Sequence, residues 1–167
     1  VFLNTGGGKF GRPEGNWGYE HIKSYTYHYN GIEGPHKVLL ADVISQDYYP
    51  IENANDPNYE VTIENMCLAM GRMRRWNHDL APLCSCVETC DINADDPGGP
   101  PTPAELRLLC WANIVHGARG IVWFHHFGET PAENFREMAR FLEQVTRLTP
   151  AVCGPAYEGT IRKEEQG

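Results

Sequence analysis

The stretch Thr102-Pro103-Ala104-Glu105-Leu106-Arg107-Leu108-Leu109-Cys110-Trp111-Ala112-Asn113-Ile114-Val115-His116-Gly117-Ala118-Arg119-Gly120-Ile121-Val122-Trp123-Phe124 contains one complete structural unit. Thr102 is an N-cap, Pro103 suits the first helical turn, and Glu105 completes a capping box. The helix it starts is expected to run to His116 and stop at Gly117. Ala118 to Phe124 follows as an apolar strand.

The same alternation extends in both directions. Val1 to Asn4 reads as the end of a buried strand, stopped by Thr5-Gly6-Gly7-Gly8. Trp17 to Asn30, closed by Gly31, suggests a helix. Val38 to Asp47 is a second strand, closed by Tyr48-Tyr49-Pro50. Val61 to Trp76 spaces Ile63, Met66, Cys67, Met70 and Met73 by three and four, as an amphipathic helix does. Pro82 to Val87 is a short apolar strand, followed by a polar loop from Asp91 to Pro103. Pro131 to Leu148 is a final helix with Phe135, Met138, Phe141, Leu142 and Val145 on one face, expected to end before Pro150.

Strands that alternate with helices and lack an apolar/polar period are parallel and covered by helices. The fold class is therefore α/β. Val1, Asp42, Leu83 and Ala118 lie 41, 41 and 35 residues apart. Eight such units make a (β/α)8 barrel, whose typical length is about 250 residues or more. Four units are half of one, a (β/α)4 arrangement over residues 1–150 with a C-terminal tail over 151–167. An open doubly wound sheet is the alternative, and periodicity does not choose between them.

Composition narrows the function. Fourteen basic against 22 acidic side chains give a net charge of −8, which disfavours a nucleic-acid binder because counterion release needs clustered Lys and Arg. Only Arg72, Arg74 and Arg75 are grouped. No apolar run approaches the roughly 18 residues of a membrane span, so no membrane is expected as a partner. The chain opens on Val1-Phe2-Leu3 without Met, which suggests a fragment or trimmed product. Its six cysteines do not assign a compartment.

Three segments carry a resemblance. Asp42-Val43-Ile44-Ser45-Gln46-Asp47-Tyr48-Tyr49-Pro50 resembles a strand of (β/α)8-barrel glycoside hydrolases and their relatives. Pro82-Leu83-Cys84-Ser85-Cys86-Val87-Glu88-Thr89 resembles their penultimate strand, which ends in Glu. Residues 103–124 are similar to their last helix-to-strand passage. The resemblance implies that this chain holds strands five to eight. It implies that Glu88 stands at the nucleophile position. The partner acid of a retaining glycosidase lies about 5–5.5 Å away. In that family it comes from strand four, which this chain does not include.

The resemblance implies carbohydrate as substrate or ligand. Around Glu88 it places Asp47, Tyr48, Trp123 and His125, with Asn4 at the end of the first strand. Each has a plainer reading. Asp47 suits a turn cap beside Pro50, and aromatic residues at strand ends are ordinary core. His125 and His126 point to opposite faces of a strand, so they do not chelate one ion together. Cys84, Cys86 and Cys90 lack the spacing of a zinc site. No metal and no cofactor are expected.

Gly6-Gly7-Gly8-Lys9-Phe10-Gly11 satisfies G-x-G-x-x-G. Pro13, Gly15 and Gly18 nevertheless delay the helix that a pyrophosphate needs. A nucleotide-binding domain is thus the weakest reading. A non-catalytic carbohydrate-binding or self-assembling half-barrel is the stronger alternative to a hydrolase. Four strands do not close a barrel. The missing half or a second copy of the chain is therefore expected as a partner.

Overall fold

The computed structural model describes residues 2–6, 41–55, 62–77, 81–92, 99–124 and 130–155. The described chain forms four strands, β1 (Phe2–Gly6), β2 (Val43–Asp47), β3 (Leu83–Glu88) and β4 (Gly120–Phe124). Three helices accompany them, α1 (Ile63–Asn77), α2 (Pro103–Val115) and α3 (Ala132–Val152). Among the described residues a 3₁₀ turn spans Glu52–Asn55. The helix expected over residues 17–30 lies outside the described residues.

All strand pairs are parallel, and the order across the sheet is β1-β2-β3-β4. Register assigns each side chain to a face, because successive residues of a strand alternate. Ile44 pairs with Leu83, Gln46 with Ser85, and Val87 with Trp123. These residues form one face, and the helices cover it. Ile44, Leu83 and Ala118 pack with Ala69, Met70 and Met73 of α1. Val87 packs with Met66, Leu106, Leu109 and Phe141, which brings all three helices to that side. Trp123 meets Phe141 edge to face at 5.8 Å.

A buried polar network crosses this layer. Gln46 Nε2 donates to Asn113 Oδ1 at 2.7 Å, while Asn113 Nδ2 donates to the Leu109 carbonyl and the Met66 sulfur. Gln46 Nε2 also reaches Ser85 Oγ at 3.3 Å. The network joins β2, β3, α1 and α2, and a buried amide without such partners would cost about 1–3 kcal/mol.

Asn4, Ser45, Cys84, Cys86, Gly120 and Val122 occupy the opposite face. Most are small. A Cβ on Gly120 would lie 2.9 Å from Cys84 Sγ, so the sulfur occupies the space that the glycine leaves. All six cysteines are free thiols.

The termini of α2 follow the local chemistry, and the end of α3 departs from it. Thr102 accepts from the Glu105 amide at 3.3 Å, and Glu105 accepts from the Thr102 amide at 2.8 Å. Gly117 takes φ +116 immediately after the His116 cap, a conformation that disfavours side chains. α3, expected to end before Pro150, continues through it to Val152. The proline forfeits only its own amide bond near the helix end. The Cys153 amide still closes the final turn on the Thr149 carbonyl at 2.8 Å.

The first strand also differs from expectation. It includes Thr5 and Gly6, which pair with Gln46 and Asp47, so Asn4 sits mid-strand rather than at the end. Thr5 Oγ1 donates to the Ser45 carbonyl at 2.9 Å and extends the ladder. No helix among the described residues is long and apolar enough to cross a membrane.

Candidate functional site at the carboxyl ends of the strands

Because all four strands run the same way, Gly6, Asp47, Glu88 and Phe124 gather at one edge of the sheet. Asp47, Glu88 and Phe124 also share the face opposite the described helices. Glu88 pairs directly with Phe124, whose ring stacks on Tyr49 at 5.1 Å between centroids. Two carboxyl side chains and two aromatic rings therefore converge there.

Glu88 has no accessible surface. Its Oε1 accepts the Ile51 amide at 2.8 Å, and its Oε2 accepts the Glu52 amide at 2.9 Å. Those amides belong to the turn that follows β2. Burial pushes the carboxyl up to about 7. The two amide donors oppose that shift, and the negative charges of Glu52 and Glu105 add to it.

The neighbouring groups are sequestered to different degrees, Glu52 and Cys86 buried and Asp47 and Tyr49 partly so. Burial first, then the Asp47 carboxylate beside it, raises Tyr49 well above the ordinary phenol range. Glu52 is 2 % exposed. Cys86, two residues before Glu88 on the same face, lies 3.6 Å from Ser45 Oγ and 3.7 Å from Asn4 Oδ1. Burial raises the Cys86 thiol, so it is not an activated nucleophile.

The structure separates the residues expected around Glu88. Asp47 stays with it. Asn4 is on the same face of the sheet but lies mid-strand, where its Oδ1 is 3.7 Å from Cys86 Sγ. Tyr48 is 3 % exposed and packs into the helix-side core with Met66 and Val87. Trp123 also faces the helices, against Phe141. Alternation is the physical reason in both cases, and it puts Tyr49 and Phe124 where Tyr48 and Trp123 were expected. His125 lies outside the described residues, as do His126 and the glycine run beyond Gly6.

Two further residues, Thr89 and Asn134, shape this edge. Thr89 donates through Oγ1 to the Phe124 carbonyl at 3.0 Å and lies 3.0 Å from Thr130 Oγ1. Asn134, fully buried at the start of α3, donates to the Thr89 and Pro101 carbonyls at 3.1 and 2.8 Å. Together they fix the exit of β3 against β4 and the start of α3. Among the described residues no group of His, Cys, Asp and Glu is placed to hold a metal ion.

No protein family, curated protein or solved structure matches this chain.

Proposed function

We propose that the chain is the strand-five-to-eight half of a glycoside-hydrolase-like (β/α)8 barrel and that it acts on or binds carbohydrate at the carboxyl edge of its sheet. The observation that carries this reading is the buried Glu88 at that edge, beside Asp47 and the Tyr49–Phe124 stack. Strand order supports the barrel half. A doubly wound sheet reverses its order and places helices on both faces, whereas the described strands are sequential and the described helices pack on one face.

Barrel enzymes place their chemistry at the carboxyl ends of the strands. An ionised Glu88 there would serve as the nucleophile, with the acid that protonates the leaving oxygen supplied by the other half of the barrel. Stacked aromatic rings suit the apolar faces of a sugar.

A second reading is favoured by one specific contact pair. Both Glu88 oxygens already accept main-chain amides, which supports a binding module in which Glu88 organises the rim. Chromogenic aryl glycosides separate the two. Turnover that Glu88→Gln abolishes supports the hydrolase. Saccharide binding without turnover, retained in Glu88→Gln, supports the module. Neither turnover nor binding across a panel of saccharides overturns both.

A further inference from the structure

The ladder between β2 and β3 ends at the Asp47–Cys86 pair, so the turn that follows β2 lies outside the sheet. Part of its bonding is internal. Asn53 donates from its amide and from Nδ2 to the Tyr49 carbonyl at 3.2 and 2.8 Å, and the Ala54 amide donates to the Ile51 carbonyl at 3.3 Å. Tyr48, buried and packed with Met66 and Val87, anchors the near end in the helix-side core. Residues 49–54 thus form a compact unit on a fixed root.

This unit covers Glu88. The carboxylate, at the very end of β3, has no accessible surface, and the Ile51 and Glu52 amides sit on its two oxygens at 2.8 and 2.9 Å. Tyr49 adds its ring stack on Phe124 of β4, and Ile51 a partly buried apolar contact with the helix-side core. Closure carries a cost, since it withdraws the side chains of Glu88 and Glu52 from water together. Opening leaves no member of these two bonds unpaired, because water replaces the carboxylate at both amides and the amides at both oxygens. The core differs, since Gln46 and Asn113 hold one another across β2 and α2 entirely out of solvent. The contacts of the turn are therefore the ones that part first.

We propose that residues 49–54 are a lid, closed in this structure, that swings about Tyr48 and so admits a ligand to Glu88. Open, the main-chain amides release both carboxylate oxygens and the Tyr49 ring leaves Phe124. That exposes the carboxyl and an aromatic face at the same edge. A lid reconciles the complete burial of Glu88 with a role in binding. Its purpose rests on the reading of this edge as the ligand site, whereas its motion is measured without any ligand. Failure of the lid and failure of the carbohydrate reading are therefore distinguishable.

The test is native-state hydrogen exchange of the full nitrogen-15-labelled chain at one pH, over urea concentrations below the unfolding transition. The Ile51 and Glu52 amides should be protected, yet exchange roughly tenfold or more faster than the Ser85 and Cys86 amides of β3 after correction for intrinsic rates. Their exchange should hardly respond to urea, because lid opening exposes little surface, while that of β3 should rise with it. Asn113→Ala weakens the core and leaves the lid contacts in place. It should speed β3 exchange roughly tenfold or more and leave Ile51 and Glu52 unchanged. Carbodiimide coupling of a small amine, read by mass spectrometry, should modify Glu88 at a rate equally indifferent to urea. If Asn113→Ala does not fold, the urea dependence and the labelling of the wild type still decide. Four results would each overturn the proposal: unprotected Ile51 and Glu52 amides, a urea dependence matching that of β3, an Asn113→Ala acceleration shared by both sets, or Glu88 labelling that occurs only on unfolding.

Discussion

Glu88 and Glu52 meet through unlike parts. The side chain of the first accepts the main-chain N–H of the second at 2.9 Å, while the Glu52 carboxylate raises the cost of the Glu88 charge. One residue thus both stabilises and opposes ionisation of the same group. The outcome is a carboxyl pushed up to about 7 from an ordinary value of 4.5.

That shift sets the pH dependence of stability. Folding favours the protonated form of Glu88, so its contribution is fully present below the unfolded value and is lost as pH rises through about 7. The size is on the order of 3 kcal/mol across that window. Urea unfolding at about pH 5 and about pH 8 should show Glu88→Gln gaining on the wild type at the higher pH. An equal difference between the two proteins at both pH values would show that Glu88 does not titrate in this window.

Gly120 and Cys84 should be coupled. A methyl group at 120 would meet Cys84 Sγ at 2.9 Å, so Gly120→Ala is expected to destabilise by about 1–3 kcal/mol through overpacking. Cys84→Ala removes the obstructing sulfur. The double variant should therefore lose less than the sum of the two single losses, a coupling that a double-mutant cycle measures by denaturant unfolding. Strict additivity would mean that the two positions do not compete for the same space.

Much of this architecture is legible in the residues themselves. Thr102, Pro103 and Glu105 specify the start of α2 through local hydrogen bonds, with no help from tertiary contacts. The spacing of Met66, Met70 and Met73 gives the buried face of α1 in the same way. Which of two neighbouring aromatics faces the strand ends is a different problem. Tyr48 and Tyr49 are chemically alike, and one residue of register decides between core and rim. The same holds for Trp123 and Phe124. Glu52 was not legible because its tie to Glu88 uses a backbone N–H, which any residue but proline supplies. Asn134 is silent in the sequence for a related reason, since it acts on two carbonyls remote in sequence.

Asn113 is the central member of the helix-side polar network. It accepts from Gln46 and donates to Leu109 and Met66, entirely out of solvent. Asn113→Ala leaves Gln46 Nε2 with Ser85 as its remaining partner at 3.3 Å. A loss of about 2 kcal/mol is expected, measured by urea unfolding at neutral pH. Asn113→Leu, which fills the volume but restores no acceptor, should be no better. Recovery of full stability in that variant would show that packing, not hydrogen bonding, governs the position.

Assembly gives the last prediction. In the described sheet β1 and β4 lie at the two ends of the order, and neither Phe2–Gly6 nor Gly120–Phe124 carries a charged side chain. Charges, prolines or bulges usually discourage edge-to-edge pairing, and these strands have none of those devices among their residues. Phe2 is 52 % exposed and Val122 36 % exposed, both on the face opposite the described helices. Closing such a sheet takes eight strands with matched tilt and stagger, twice the number here. The chain is therefore expected to associate, either with the complementary barrel half or with a second copy about a two-fold axis. Light scattering at micromolar concentration should give a mass above one chain, or show the isolated chain aggregating. Replacing Val122 with Lys puts a charge on that face at the edge strand and should shift the population toward the monomer. A well-folded wild-type monomer with a cooperative unfolding transition at that concentration would defeat this prediction and weaken the barrel-half reading with it.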